Sequence, residues 1–159
     1  MAGRFFDTSA LAKLYHQEAG SDFMVRIGSE TGSRHWISRL SVAEMESVLA
    51  GRVRSATMTI ADADFARRCL AADLNQRRLL VAPVDLRHFN KAATLLQTCG
   101  VSEGLRTLDA IQLAVALELA QTQRVGAFLA ADKRLCRIVG LAGLATINPE
   151  SPGHLVVVP

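Results

Sequence analysis

RFFDTSALAKLY, residues 4–15, is the stretch that decides how this chain is read. Two phenylalanines run into Asp7, two hydroxyl residues (Thr8 and Ser9) follow, and Leu11, Leu14 and Tyr15 then recur at helical spacing. The pattern predicts a short buried strand that passes directly into a helix, with a carboxylate at the joint. A carboxylate at the inner end of an apolar strand is costly unless a hydrogen-bonding partner or a cation meets it.

Working outward, the same alternation of strand and helix repeats. Ser21 is the expected N-cap of a helix over SDFMVRIGSE, and HWISRLS is the next strand. In SVAEMESVLAGRVRS, Ser41 and Glu44 have the spacing of a capping box. TIADADFARRCLAADLNQRR carries an apolar stripe through Ala61, Phe65, Cys69 and Ala72. RLLVAPVD is a strand, and LRHFNKAATLLQTCG is a helix closed by Gly100. LRTLDAIQLAVALELAQTQ is an apolar helix with Thr107 as its expected N-cap and Leu108, Ile111, Val115 and Leu119 on one stripe. VGAFLAAD, DKRLCRIVG and LATINP complete the series as strand, helix and strand. Strands separated by helices on short connections imply a parallel sheet of four to five strands flanked by helices, an α/β/α sandwich. Ligands of such folds bind beyond the carboxyl ends of the strands.

Composition bounds the reading. The chain has 159 residues, half of them hydrophobic, enough for one domain with a substantial core. No apolar run reaches the roughly 18 residues of a membrane span. Asp7 and Lys13 interrupt any early apolar stretch, so no signal peptide is read and a cytoplasmic protein is expected. Cys69, Cys99 and Cys136 are too sparse for a disulfide framework or a cysteine zinc site and are read as buried thiols. His16, His35, His88 and His154 share no ligand spacing and are read as surface or helix-side residues. The net charge is +3, and lysine occurs only at positions 13, 91 and 133. An arginine-dominated positive charge suits bidentate contact with phosphate.

The acids are more informative. Asp7 and Asp132 each end an apolar strand, and in a parallel sheet both project from the same edge. Asp109 opens the apolar helix, where the helix dipole favours an anion. Glu44 opens the helix after the second strand. Glu46 is two residues further along, about 200° around the helix, so the two glutamates cannot face one site together. Carboxylates crowded on one rim repel and raise each other's pKa, and a hard divalent cation with oxygen ligands resolves that repulsion.

RFFDTSALAKLY, SRLSVAEMESVLAGR, LRTLDAIQLAVALELA and FLAADKRL together resemble the conserved blocks of the PIN domain, most closely those of VapC-type ribonuclease toxins from toxin–antitoxin pairs. The resemblance runs from about residue 4 to residue 148 and implies a nuclease domain over 1–148 with a tail over 149–159. It places the catalytic acids at Asp7, Glu44, Asp109 and Asp132, with Asp7 and Asp109 holding the principal Mg²⁺ or Mn²⁺. Thr8 and Ser9 stand where the family has hydroxyl residues beside its first acid and are implied as supporting residues, and Arg106, close in sequence to Asp109, is expected to touch the substrate phosphate or a carboxylate. It further implies an RNA substrate, an antitoxin partner and a homodimer. Many members carry Ser or Thr where this chain has Ala130, and His where it has Gln112.

Arg52, Arg54, Arg67, Arg68, Arg77 and Arg78 are candidates for an RNA path, and Met24, Val25, Met45 and Val48 for a partner groove. Val156 to Val158 suggest an extra edge strand, a dimer contact or a packed tail. Two rival readings use the same acids. One is a PIN-like metal-binding interaction module with weak catalysis. The other is a phosphoacceptor signalling domain, against which stand the single acid in DTS and the position of Lys133 beside Asp132.

Overall fold

A computed structural model of the chain describes residues 3–153. The elements are β1 (Gly3–Phe6), α1 (Thr8–Leu11), α2 (Ser21–Gly28), β2 (His35–Ser38), α3 (Arg39–Arg54), α4 (Ile60–Asn75), β3 (Leu79–Ala82), α5 (Leu86–Glu103), α6 (Thr107–Gln121), β4 (Val125–Leu129), α7 (Lys133–Leu141) and β5 (Ala145–Ile147). The five strands are all parallel, in the order β3-β2-β1-β4-β5. The order reverses direction at β1, so the carboxyl end of β1 lies at the switch point of the sheet, where such folds bind ligands.

The two phenylalanines of β1 show why the sheet needs a layer on each side. Side chains alternate along a strand. Phe5 packs with Phe128, ring centroids 5.2 Å apart, in a core shared with α5, α6 and α7. Phe6 turns the other way, into a core with Leu11, Met24, Ile37, Met45 and Leu129. Both rings are fully buried, each worth about 2–3 kcal/mol of transfer free energy.

Several local expectations are corrected. The first helix is short: α1 passes at once into a 3-10 turn over Ala12–Leu14, within which Lys13 turns inward to bond the Ala19 carbonyl and the Glu18 and Glu150 carboxylates. Gly20, not Ser21, is the N-cap of α2. Ser38, not Ser41, caps α3, its hydroxyl accepting from the Ser41 N–H. Helix α5 runs through Gly100 to Glu103, and Gly104, left-handed at φ 67°, closes it. Arg106, not Thr107, is the N-cap of α6, and Leu108 is half-exposed rather than on the buried stripe. Helix α4 buries Ala63, Ala66 and Leu70, while Phe65 faces outward. Its small alanines let it sit close against Leu49 and Met58, and the large ring does not fit there.

Two histidines are not surface residues. His35 is buried and stacked on Phe6, and burial first, then Arg4, depresses its pKa. His88 is buried within the N-cap of α5, where its Nδ1 accepts from the Asp85 N–H. The cysteines are free; Cys136 is buried, and burial pushes its thiol up to about 11. Among the described residues no helix is long and apolar enough to cross a membrane. His154 and Val156 to Val158 lie outside the described residues.

Candidate functional site

Asp7 leaves β1 with extended backbone and caps α1: its Oδ2 accepts from the Ser9 N–H at 3.0 Å and the Ser9 hydroxyl at 2.6 Å. Ser9 is itself fixed, because its Oγ also accepts from the Ala131 N–H at 3.0 Å. Ala131 is held in turn by Asn148, a buried residue after β5, whose Nδ2 donates to the Ala131 carbonyl at 3.0 Å. The chain Asn148–Ala131–Ser9–Asp7 thus ties the ends of β1, β4 and β5 together. The Ala131 backbone N–H gives polar support here, where the pattern the sequence resembles has a hydroxyl at position 130. Ala130 itself is fully buried.

Glu44 is reached from α3. With Ser38 as the cap, Glu44 falls in the second turn, free of any capping duty, and faces inward. Its Oε2 accepts from the Thr8 hydroxyl at 2.6 Å and from Gln112 Nε2 at 2.7 Å. Gln112 is buried on α6, and its Oε1 accepts from the Ser38 hydroxyl at 2.7 Å. Its Nε2 also faces Ser41 Oγ at 2.8 Å and Thr8 Oγ1 at 3.2 Å, so it has more acceptors than hydrogens and shares them. Glu46 points away and pairs with Arg67 on the surface.

Asp109 lies in the first turn of α6. Asp132 caps α7, its Oδ1 accepting from the N–H groups of Arg134 and Leu135. Arg106 bridges the two, its Nε 3.1 Å from Asp109 Oδ2 and one terminal nitrogen 3.1 Å from Asp132 Oδ2. Arg134 approaches the same Asp132 oxygen, Oδ2, at 3.6 Å.

All four acids therefore reach the carboxyl rim of the sheet, and Asp7 sits deepest. Burial pushes its carboxyl up to about 6, against the pull of the Ser9 bonds, and the nearby Asp109 and Glu44 charges add to the rise. Among the described residues no three His, Cys, Asp or Glu side chains stand close enough to hold one ion as they lie. The reason is visible in their partners: Glu44 is turned onto Thr8 and Gln112, and Asp109 and Asp132 onto Arg106. The donor set is nonetheless all carboxylate oxygen, around a buried carboxyl that makes no ion pair among the described residues, and this fits a hard divalent cation.

The rim sits in a chain whose residues 4–141 match the family model of the PIN domain. The protein belongs to the PIN-domain family. Among solved structures, this PIN domain is similar to PAE2754 from Pyrobaculum aerophilum, with 17% identity, a TM-score of 0.56, and 86% of this chain and 79% of that one covered. It is also similar to a toxin–antitoxin complex from Klebsiella pneumoniae, with 18% identity, a TM-score of 0.59, and 92% of this chain and 98% of that one covered. At such identities the likeness is one of fold. No curated protein matches the chain. The phosphoacceptor reading loses its ground here, since Asp85, the acid after β3, is spent on capping α5 and pairing Arg87.

The remaining candidates divide. Arg52 pairs with Glu18, Arg67 with Glu46 and Asp64, and Arg78 with Asp73, so these are not free phosphate contacts. Arg68 lies over the Phe65 ring. Met24 and Met45 belong to the core; Val25 is open to solvent and Val48 half-buried. Sequence reasoning named Ser41 only as a cap and missed Ser38, Arg134 and Asn148 at the site.

Proposed function

We propose that this PIN domain is a Mg²⁺- or Mn²⁺-dependent ribonuclease of the VapC type, the cytoplasmic toxin of a toxin–antitoxin pair. PIN domains are as a class nucleases. The observation that carries the reading is Asp7, a buried carboxyl pushed up to about 6 at the switch point of the sheet, with Glu44, Asp109 and Asp132 on the same rim.

Asp7 and Asp109 would hold the principal ion, and Glu44 and Asp132 would complete the cluster. Bound there, Mg²⁺ or Mn²⁺ supplies activation of the attacking water and neutralisation of charge at the scissile phosphate. The chain's own part is to set the ligands. Ser9 fixes the rotamer of Asp7, and Thr8 with Gln112 fixes Glu44. Arg106, two-thirds exposed, can turn from the acids to a phosphate oxygen of the substrate. A small antitoxin would cover this rim, most simply by offering an arginine to the same carboxylates, and a homodimer would set two rims along one groove. The similar fold from Klebsiella pneumoniae comes from a toxin–antitoxin complex, which supports a partner of this kind.

The test is cleavage of single-stranded RNA by the purified protein with Mn²⁺, with excess chelator, and with the Asp7→Asn variant. Cleavage is expected only with the ion and the intact aspartate. Chelator-resistant cleavage that survives Asp7→Asn rejects the assignment. Mn²⁺ binding without cleavage of any RNA points instead to an interaction module.

A further inference from the structure

The opposite end of the sheet carries a second concentration of charge, of the other sign. Arg34 directly precedes β2, Arg124 directly precedes β4, and Arg77 stands two residues before β3. Glycine at position 3 brings the first two together. The Gly3 N–H donates to the Arg124 carbonyl at 2.8 Å, and the Arg4 N–H donates to the Arg34 carbonyl at 2.9 Å. A Cβ at position 3 would lie 2.5 Å from the Arg34 oxygen and 2.7 Å from the Arg124 oxygen, so a larger residue would push the two strand starts apart. Arg77 is held in the left-handed region at φ 58°, which a side-chain-bearing residue seldom adopts.

Among the described residues, none of these arginines makes an ion pair, whereas neighbouring Arg78 is tied to Asp73 and Arg4 to Glu30. Arg34 and Arg77 line a cavity of about 550 Å³ whose walls include Leu74, Leu80 and Trp36. Among the described residues no acid lines it. Arg124 lies over the Trp36 ring, 5.8 Å from its centroid. Trp36 Nε1 is buried and has no acceptor among the described residues. A buried donor without an acceptor is destabilising, and unpaired arginines beside it repel one another. An anionic oxygen between Arg34 and Arg77 relieves that repulsion, and the leucine wall offers an apolar surface to whatever carries that oxygen.

We propose that this cavity is a binding site for a nucleoside phosphate, with the phosphate held between Arg34 and Arg77 and the base against the apolar wall. The nucleoside phosphate comes either free or as a unit of an RNA strand. The site is independent of the acid rim and of the nuclease reading, because it uses none of the same residues and lies at the amino ends of the strands.

Trp36 is the single tryptophan of the chain, so its fluorescence and its indole N–H resonance report on this cavity alone. The full chain is titrated with inorganic phosphate, with AMP and with a short single-stranded RNA, in chelator and at fixed ionic strength set by chloride. Saturable shifts of both signals are expected, with AMP binding at least about tenfold more tightly than inorganic phosphate. Arg34→Ala with Arg77→Ala should weaken AMP binding by about tenfold or more, with the circular dichroism spectrum unchanged. Tighter binding of RNA than of AMP supports the site and identifies the strand as the source; equal or weaker binding supports it and identifies the free nucleotide. The proposal is overturned if the signals do not saturate with any phosphate, if chloride alone reproduces them, or if the double variant binds AMP as the parent does.

Discussion

The acid rim has two halves that are held by different physics. On the inner half, Glu44 is fixed by a buried, uncharged network of Ser38, Ser41, Thr8 and Gln112. On the outer half, Asp109 and Asp132 are fixed by the guanidinium of Arg106, which is 64% exposed. Hydrogen bonds in a network anchored in a low-dielectric interior are expensive to break and hold one geometry. An exposed ion pair contributes little to stability and exchanges readily with water, salt or another cation. The contrast teaches that one half of the rim is preset and the other is replaceable, with Asp7 between them as the carboxyl that neither half neutralises.

The largest effect should come from removing the charge at the centre. Asp7→Asn should lower RNA cleavage by about a thousandfold or more while raising the stability of the ion-free protein at pH 7. The sign follows from linkage. The folded-state pKa of about 6 exceeds the ordinary 3.8, so the folded protein holds the proton more tightly than the unfolded chain. Ion-free stability therefore falls as pH rises from about 4 to about 6, by about 3 kcal/mol at most, and the asparagine variant should lack that fall. Urea denaturation at pH 4 and pH 7 in chelator measures it, and an identical pH dependence in both proteins would contradict the uncompensated carboxyl.

Gln112→Leu attacks the preset half. It leaves the hydroxyls of Ser38 and Ser41 and the Glu44 carboxylate without their shared partner and should cost about 2–4 kcal/mol. Cleavage should fall with kcat affected more than KM. A stability loss below about 1 kcal/mol would mean that the inner half is no more rigid than the outer.

Asn148→Ala tests the strut behind Asp7. Stability should drop by about 1–2 kcal/mol, and Mn²⁺ affinity, read by calorimetry, should drop by several-fold. Asn148→Asp keeps the oxygen that accepts from the Glu150 N–H and loses the donor to Ala131, so it should behave like the alanine. A fully functional Asn148→Asp would cut Asn148 out of the chain leading to Asp7.

Arg106→Gln should have the smallest effect on stability, a melting shift of about a degree or less. It should raise affinity for Mn²⁺ in the absence of RNA, since the competing guanidinium is gone, and raise KM for RNA. Weaker Mn²⁺ binding in this variant would make Arg106 a support for the site rather than a replaceable occupant.

The two halves also differ in how far they can be read from sequence. Strands ending in acid, as in FFD and LAAD, are legible because a carboxylate after an apolar run is rare without a purpose, and the pattern of elements is enough to set a parallel sheet. The network around Glu44 is not legible. Its members come from residues 8, 38, 41, 44 and 112, and nothing local marks hydroxyls in two separate segments as partners. The cap of α3 falls three residues earlier than the sequence suggests for the same reason: Ser38 and Ser41 are equally good caps by type, and only the end of β2 chooses between them. Asn148 lies past the acids and past residues 4–141, in a segment with no pattern, and its role depends on one backbone carbonyl across the sheet. His35 and His88 depart from the surface reading because burial of a neutral imidazole depends on a neighbouring ring or cap that sequence does not announce.

Asp132 accepts from two N–H groups at the start of α7, and Asp109 stands in the opening turn of the 15-residue α6. Each helix therefore lends partial positive charge to an acid before any ion arrives. The two outer acids are thus partly balanced by dipoles that belong to the fold itself and that no change of ionic conditions removes.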